Sequence, residues 1–183
     1  MEEKKIMALG FFDGVHRGHA ELLRRAKALA EKNGFTAEAL SFSTHPSAVL
    51  KGQSVSLLST EEERRQLMEA LGVSVRFLPF DEKMRFTPWK AFLEQRVREG
   101  AAGFVVGYDF RFGYQGEGNA EKIARWCAER DLLFERVEAV MDGGEPVSSS
   151  RIRALLAEGR RVEAEKLLGH GLRCLNAETE GCI

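Results

Sequence analysis

Charge of one sign is missing from this chain: 27 Lys and Arg face 28 Asp and Glu, leaving a formal net charge of −1 over 183 residues. Such a balance sets up no bulk field to recruit nucleic acid or an anionic membrane, and neither is expected as a partner. Long hydrophobic runs are also missing. No stretch approaches the ~20 apolar residues of a spanning helix, and the run after the charged start Met1-Glu2-Glu3-Lys4-Lys5 is too short for a signal peptide. Cysteine is scarce. Cys127, Cys174 and Cys182 are odd in number and form no CxxC, which best fits a reduced, cytoplasmic setting, although Cys174 and Cys182 could pair in air. Internal repeats and low-complexity segments are absent.

What is present is the material of one globular domain, 44% hydrophobic and 30% charged. Apolar runs at 6–9, 37–42, 73–78, 103–106 and 132–137 read as strands, with Val140 as an extension of the last. Helical patterns separate them. The first carries Leu22, Leu23, Ala26, Leu29 and Ala30 on one face and stops at Asn33-Gly34. The second opens on the capping box Ser59-Thr60-Glu61-Glu62-Glu63, and the third on Thr87-Pro88 with Pro at its first position. A fourth runs through Ile123, Trp126 and Cys127. Two more follow the Met141–Pro146 turn, one from Arg151 to Glu158 and one ending at Leu168-Gly169. Strands alternating with helices predict an α/β, Rossmann-like open parallel sheet with helices on both faces. Residues 1–170 read as the domain and 171–183, which lack a pattern, as a tail.

The chain is organised around Leu9-Gly10-Phe11-Phe12-Asp13-Gly14-Val15-His16-Arg17-Gly18-His19, a strand, a glycine turn and the start of a helix. Backbone N–H groups and the helix dipole favour an anion at such a place. Its glycines are expected to let the backbone pass close to a ligand. His16 and His19, three apart, share a face of the first turn and can donate to phosphate oxygens as charge builds there. A bare HxxH is also what two ordinary surface histidines look like. Zinc is disfavoured, because no Cys, Asp or Glu stands at metal-ligand spacing nearby.

Three other stretches are not explained by core building: Ser43–Pro46, Gly107–Gly118 and Ser148–Arg153. Each follows a predicted strand, so all should meet the glycine turn at the C-terminal edge of the sheet, where ligands bind. The second holds four aromatics and four glycines and suits a planar ring system, with Asp109 available to a hydroxyl, an amide or Mg²⁺. Its aromatics suit core packing equally well. The third caps a helix with three serines and sets Arg153 one turn in, either as a plain N-cap or as a triphosphate site.

Gly-Phe-Phe-Asp-Gly-Val-His-Arg-Gly-His resembles the HxGH signature of the nucleotidyltransferase superfamily and, more narrowly, the adenylyltransferase module of bacterial FAD synthetases. Ser148-Ser149-Ser150-Arg151-Ile152-Arg153 is similar to that family's SSTxIR motif, with Ser150 where Thr is usual. Ser43-Thr44-His45-Pro46 resembles its short His-Pro motif, and Gly107–Gly118 its flavin-side loop. The resemblance implies an FMN adenylyltransferase that joins the AMP of ATP to FMN, giving FAD and pyrophosphate with Mg²⁺. It implies His16, His19, Ser149 and Arg153 as catalytic residues. It implies ATP contacts from Gly10, Phe11, Phe12, Asp13, Gly14, His16, Gly18 and His19, and from Ser148, Ser149, Ser150 and Arg153. Flavin contacts would come from His45, Pro46, Tyr108, Asp109, Phe110, Phe112 and Gly113, with Asp109 a candidate metal ligand. Enzymes of this type continue into a riboflavin kinase barrel, which this chain is not expected to hold. Its FMN would come from a separate riboflavin kinase or a missing kinase domain. Leu167–Gly171 resembles the junction to that barrel, with His170-Gly171 in place of Arg-Pro. Two alternatives stay open: another phosphorylated acceptor, such as a pantetheine phosphate or nicotinamide mononucleotide, or a flavin-nucleotide binding module without turnover.

Overall fold

A computed structural model describes residues 3–52 and 55–172. Most of the expected tail, with Cys174 and Cys182, lies outside the described residues.

Five strands form one parallel sheet: β1 (Lys5–Leu9), β2 (Thr36–Phe42), β3 (Ser74–Leu78), β4 (Ala101–Gly107) and, after two short strands defined below, β7 (Leu133–Val137). Their spatial order is β3-β2-β1-β4-β7. The order reverses beside β1, so the crevice of the fold lies at the C-terminal ends of β1 and β4. The period-2 geometry of a strand sends Ile6 and Ala8 to one face and Met7 and Leu9 to the other, and all four are buried. On the first face they meet Leu22, Leu23, Ala26 and Ala30 of α1 (Arg17–Lys32) and Met68 of α3 (Glu61–Ala70). On the second they meet Phe92 and Leu93 of α5 (Trp89–Arg98) and Ile123 and Trp126 of α6 (Ala120–Ala128).

A pair of helices, α7 (Ser149–Ala157) and α8 (Arg161–Leu168), builds a third core from Ile152, Leu155, Ala164, Leu167 and Leu168. Leu58, just before α3, is buried in this third core, and its neighbours join the helix pair to the glycine turn.

Capping fixes where helices start. Thr60 and Glu63 form the reciprocal capping box before α3. Pro88 stands one place earlier than expected, as the N-cap of α5. Two short helices, α2 (Pro46–Lys51) and α4 (Glu82–Arg85), were not indicated by the sequence. The expected loop at 107–118 contains an antiparallel ribbon, β5 (Arg111–Phe112) with β6 (Gly118–Asn119). The expected turn at 141–146 is a ribbon of β8 (Met141–Asp142) and β9 (Glu145–Pro146). Val140 does not extend β7; its carbonyl accepts from the N–H of Val147 and starts the approach to α7.

Candidate active site

The glycine turn leaves β1 at the crevice. Gly10 is required by the turn itself, because a Cβ there would stand 2.9 Å from the Phe12 ring. Gly18 makes room for the His16 ring in the same way, since a Cβ at that position would stand 3.2 Å from His16 Cε1. The sequence reading gave these glycines to a close ligand; the structure gives them first to neighbouring side chains. Phe12 is left-handed, at φ 59°, and so is Gly14, at φ 71°.

His16 is the N-cap of α1 and not part of its first turn. Its Nδ1 accepts the backbone N–H of His19 at 3.3 Å, which leaves Nε2 as the donor. The two rings nevertheless stack, 3.6 Å apart and tilted by 17°. Burial pushes the His16 pKa down to about 4, and burial with His16 alongside pushes His19 down as well. Both are therefore neutral donors at neutral pH. The Nδ1 of His19 is buried with no partner among the described residues.

The serine segment folds onto the turn. The Ser149 hydroxyl donates to the carbonyl of Asp13 at 3.1 Å, and Arg153 Nη1 meets Asp13 Oδ2 at 2.7 Å. The other Asp13 oxygen accepts from the Leu58 N–H at 2.9 Å. Asp13 is 3% exposed, and burial raises its pKa against the opposing pull of Arg153. Asp13 was expected to contact ATP; here its side chain ties together the turn, the approach to α3 and α7. Ser148 is the N-cap of α7 and accepts from the Arg151 N–H, while Ser150 is exposed. Two of the three serine hydroxyls thus hold the chain together. Arg153 keeps its remaining N–H groups at a side chain 23% exposed.

A cavity of about 620 Å³ runs from the turn to the 107–118 segment. Its lining includes Gly10, Phe11, Phe12 and His19 from the turn and the start of α1, and Asp109, Phe110, Phe112 and Gly113 from the 107–118 segment. Phe110 and Phe112 stack at 5.3 Å and pack on the second core, as the core reading of these aromatics expects, while also lining the cavity. Gly113 lies at φ 77°, with its would-be Cβ 2.6 Å from Trp89 Cβ. Pro46 lines the cavity, whereas Tyr108 is exposed and does not. His45 does not line it either: its ring meets Phe11 edge-on at 4.6 Å and its Nδ1 caps α2. Of the expected flavin contacts, Tyr108 and His45 thus stand outside the cavity lining.

No group of three His, Cys, Asp or Glu side chains able to hold a metal is found among the described residues. Mg²⁺ does not need one when substrate phosphates supply most of its ligands. Asp109 is the predicted carboxylate that reaches the cavity.

Two residues of the site escaped the sequence reading. Arg64, from α3, is fully buried and donates to the carbonyl of Phe11 at 2.9 Å. His170, just past α8, holds the carbonyl of Gly14 through Nε2 at 2.8 Å.

A crevice at the strand-order switch, a glycine turn leading into a helix N-terminus and a stacked histidine pair together define an α/β nucleotidyltransferase domain. The model of the FAD synthetase family matches residues 1–151, and the chain belongs to that family. It is 34% identical over 177 residues to a bifunctional riboflavin kinase/FMN adenylyltransferase of Listeria monocytogenes, covering 91% of this chain and 54% of that protein. A protein of the same organism named FAD synthetase is 28% identical, with 90% and 68% covered. A crystal structure from Streptococcus pneumoniae, described as a macrolide-efflux protein, matches with a TM-score of 0.85 at 28% identity, covering 94% of this chain and 58% of that one. The chain spans about half the length of the bifunctional relatives of Listeria monocytogenes and Bacillus subtilis.

Proposed function

We propose that this chain transfers the adenylyl group of ATP to the phosphate of FMN, giving FAD and pyrophosphate. An FMN phosphate oxygen attacks the α-phosphorus in line, a new P–O bond forms, and the bond to pyrophosphate breaks. The second pKa of a phosphate ester lies near 6, so the nucleophile is already charged at neutral pH and needs no general base. The chain's part is positioning and charge stabilisation. His16 and His19 donate as neutral imidazoles to the α-phosphate and the bridging oxygen. The start of α7 and the free edge of Arg153 receive the β- and γ-phosphates. Mg²⁺, when bound, would neutralise phosphate charge, and Asp109 would be its carboxylate ligand.

The observation that carries this reading is the junction of two unlike environments. An apolar cavity walled by Phe110 and Phe112 reaches His19 at the helix N-terminus, so a planar ring and a phosphate can be held by one site. That favours a flavin over a pantetheine phosphate. The stacked histidines and Arg153 together favour turnover over binding alone.

The test is a paired incubation with ATP and Mg²⁺, one with FMN and one with riboflavin, followed by chromatography of the flavins. FAD is expected from FMN alone, because no residue of the site is placed to deprotonate an alcohol. FMN then has to come from a riboflavin kinase, the activity named in the bifunctional relatives. Failure to form FAD from FMN, or conversion of riboflavin, overturns the reading.

A further inference from the structure

Arg64 is a costly residue in its position. It is 0% exposed, and its Nε and Nη2 have no hydrogen-bond partner among the described residues. Burial pulls its pKa down, while Asp13 and Glu61 pull it back up. An apolar side chain of similar volume would fill the same space at no desolvation penalty. Sequence spacing alone would give the position such a residue, since 64, 67, 68 and 71 share one face of α3.

Apart from the Phe77 ring of β3, 5.0 Å from its guanidinium, the groups Arg64 touches belong to the site. Nη1 donates to the carbonyl of Phe11 at 2.9 Å, to Ser41 Oγ at 2.9 Å and to the carbonyl of Phe42 at 3.1 Å. The Ser41 hydroxyl donates in turn to the same Phe11 carbonyl at 2.7 Å. The guanidinium also lies 4.4 Å from the centre of the Phe11 ring. Phe11 follows Gly10 in the turn, and Phe42 ends β2; both line the cavity. Two donors thus converge on one carbonyl in the turn. The same cation acts on Asp13, the partner of Arg153.

We propose that Arg64 is a positioning residue for adenylyl transfer: from beneath the site it locks the Phe11 carbonyl onto the end of β2 and gives Asp13 a second counter-charge. Arg153 can then turn toward a triphosphate without leaving a buried carboxylate alone. The proposal rests on the adenylyl-transfer reading for its catalytic consequence, but its effect on nucleotide binding can be read separately.

The experiment compares Arg64→Met, Arg64→Lys and Ser41→Ala with the unaltered chain. Three quantities are read: melting temperature, FMN-dependent pyrophosphate release, and equilibrium binding of α,β-methylene ATP, which cannot be cleaved at the reacting bond. Arg64→Met should melt within a few degrees of the parent and lose roughly 10- to 100-fold in kcat, the span expected for hydrogen bonds to a charged group. Its affinity for the analogue should fall in the same direction. Arg64→Lys should recover part of both, and Ser41→Ala should lose less than Arg64→Met. A folded Arg64→Met with normal kcat and normal analogue affinity overturns the proposal. If Arg64→Met does not fold, Ser41→Ala decides, and normal kinetics in that variant overturn it. An unaltered chain that binds the analogue but makes no FAD refutes the FMN reading and leaves the binding comparison to judge Arg64.

Discussion

Arg153 and Asp13 form an ion pair of 2.7 Å across 140 residues of chain. It changes what a substitution at Arg153 should do. A guanidinium that only waited for phosphate could be replaced without loss of stability. One that neutralises a carboxylate 3% exposed cannot. Arg153→Met is expected to lower stability by about 3 kcal/mol, at the low end for breaking a buried pair, as well as to weaken ATP use. Arg153→Lys should keep most of the stability and still raise the KM for ATP, because the two-pronged geometry is lost. Thermal melts beside ATP kinetics check both. An Arg153→Met variant as stable as the parent would show that the pair contributes nothing.

His19, in the first turn of α1, lines the cavity. Replacing it by Ala should lower kcat by roughly 10²–10³-fold, the usual loss for one donor aimed at developing charge. The KM for FMN should move much less. Steady-state rates of pyrophosphate release measure both, and near-parental turnover would remove His19 from the mechanism.

His16 gives a pH signature. The folded chain holds its pKa at about 4, whereas an exposed histidine titrates near 6.5. Between those values the unfolded chain binds a proton that the folded chain refuses. Stability therefore falls as pH drops from 6.5 toward 4, with a loss of about 2 kcal/mol from this residue by pH 5. The buried Asp13, with its raised pKa, works in the opposite sense at lower pH. The decisive comparison is His16→Gln against the parent in urea melts at pH 7 and pH 5. The variant should lose clearly less stability between the two. Equal losses would mean that His16 titrates normally.

Gly113 tests the flavin end of the cavity. Its φ of 77° with ψ of 177° lies in a region open essentially to glycine and costs an L side chain about 1–3 kcal/mol. A Cβ there would also stand 2.8 Å from the backbone of Trp89. Gly113→Ala should lower the melting temperature and raise the KM for FMN while leaving the KM for ATP nearly unchanged. A rise confined to ATP would place the flavin elsewhere.

The five strands and the gathering of four segments at one edge were legible because periodicity and turn residues report them directly. The two-residue strands β5, β6, β8 and β9 are too short for alternation to show. The scaffolding role of Asp13 was not legible, because its partners Leu58 and Arg153 lie 45 and 140 residues away and leave no local pattern. Tyr108 looked like Phe110 and Phe112 by composition, but it is exposed whereas they pack on the second core. Arg64 was hidden inside the charged run Glu61–Arg65, which reads as a solvated face. The one available signal was its spacing from Leu67, Met68 and Leu71.

The carbonyl of Asp13 is held by Ser149 and that of Gly14 by His170, 136 and 156 residues further along. A segment that emerges early during synthesis is thus shaped by one that emerges much later. The sheet can assemble from contacts within the first 137 residues, but the histidine turn must wait for α7 and α8. Contacts of such separation close slowly. Nucleotide affinity should therefore appear in a refolding time course after the sheet has formed, and it is the last property the folding chain acquires.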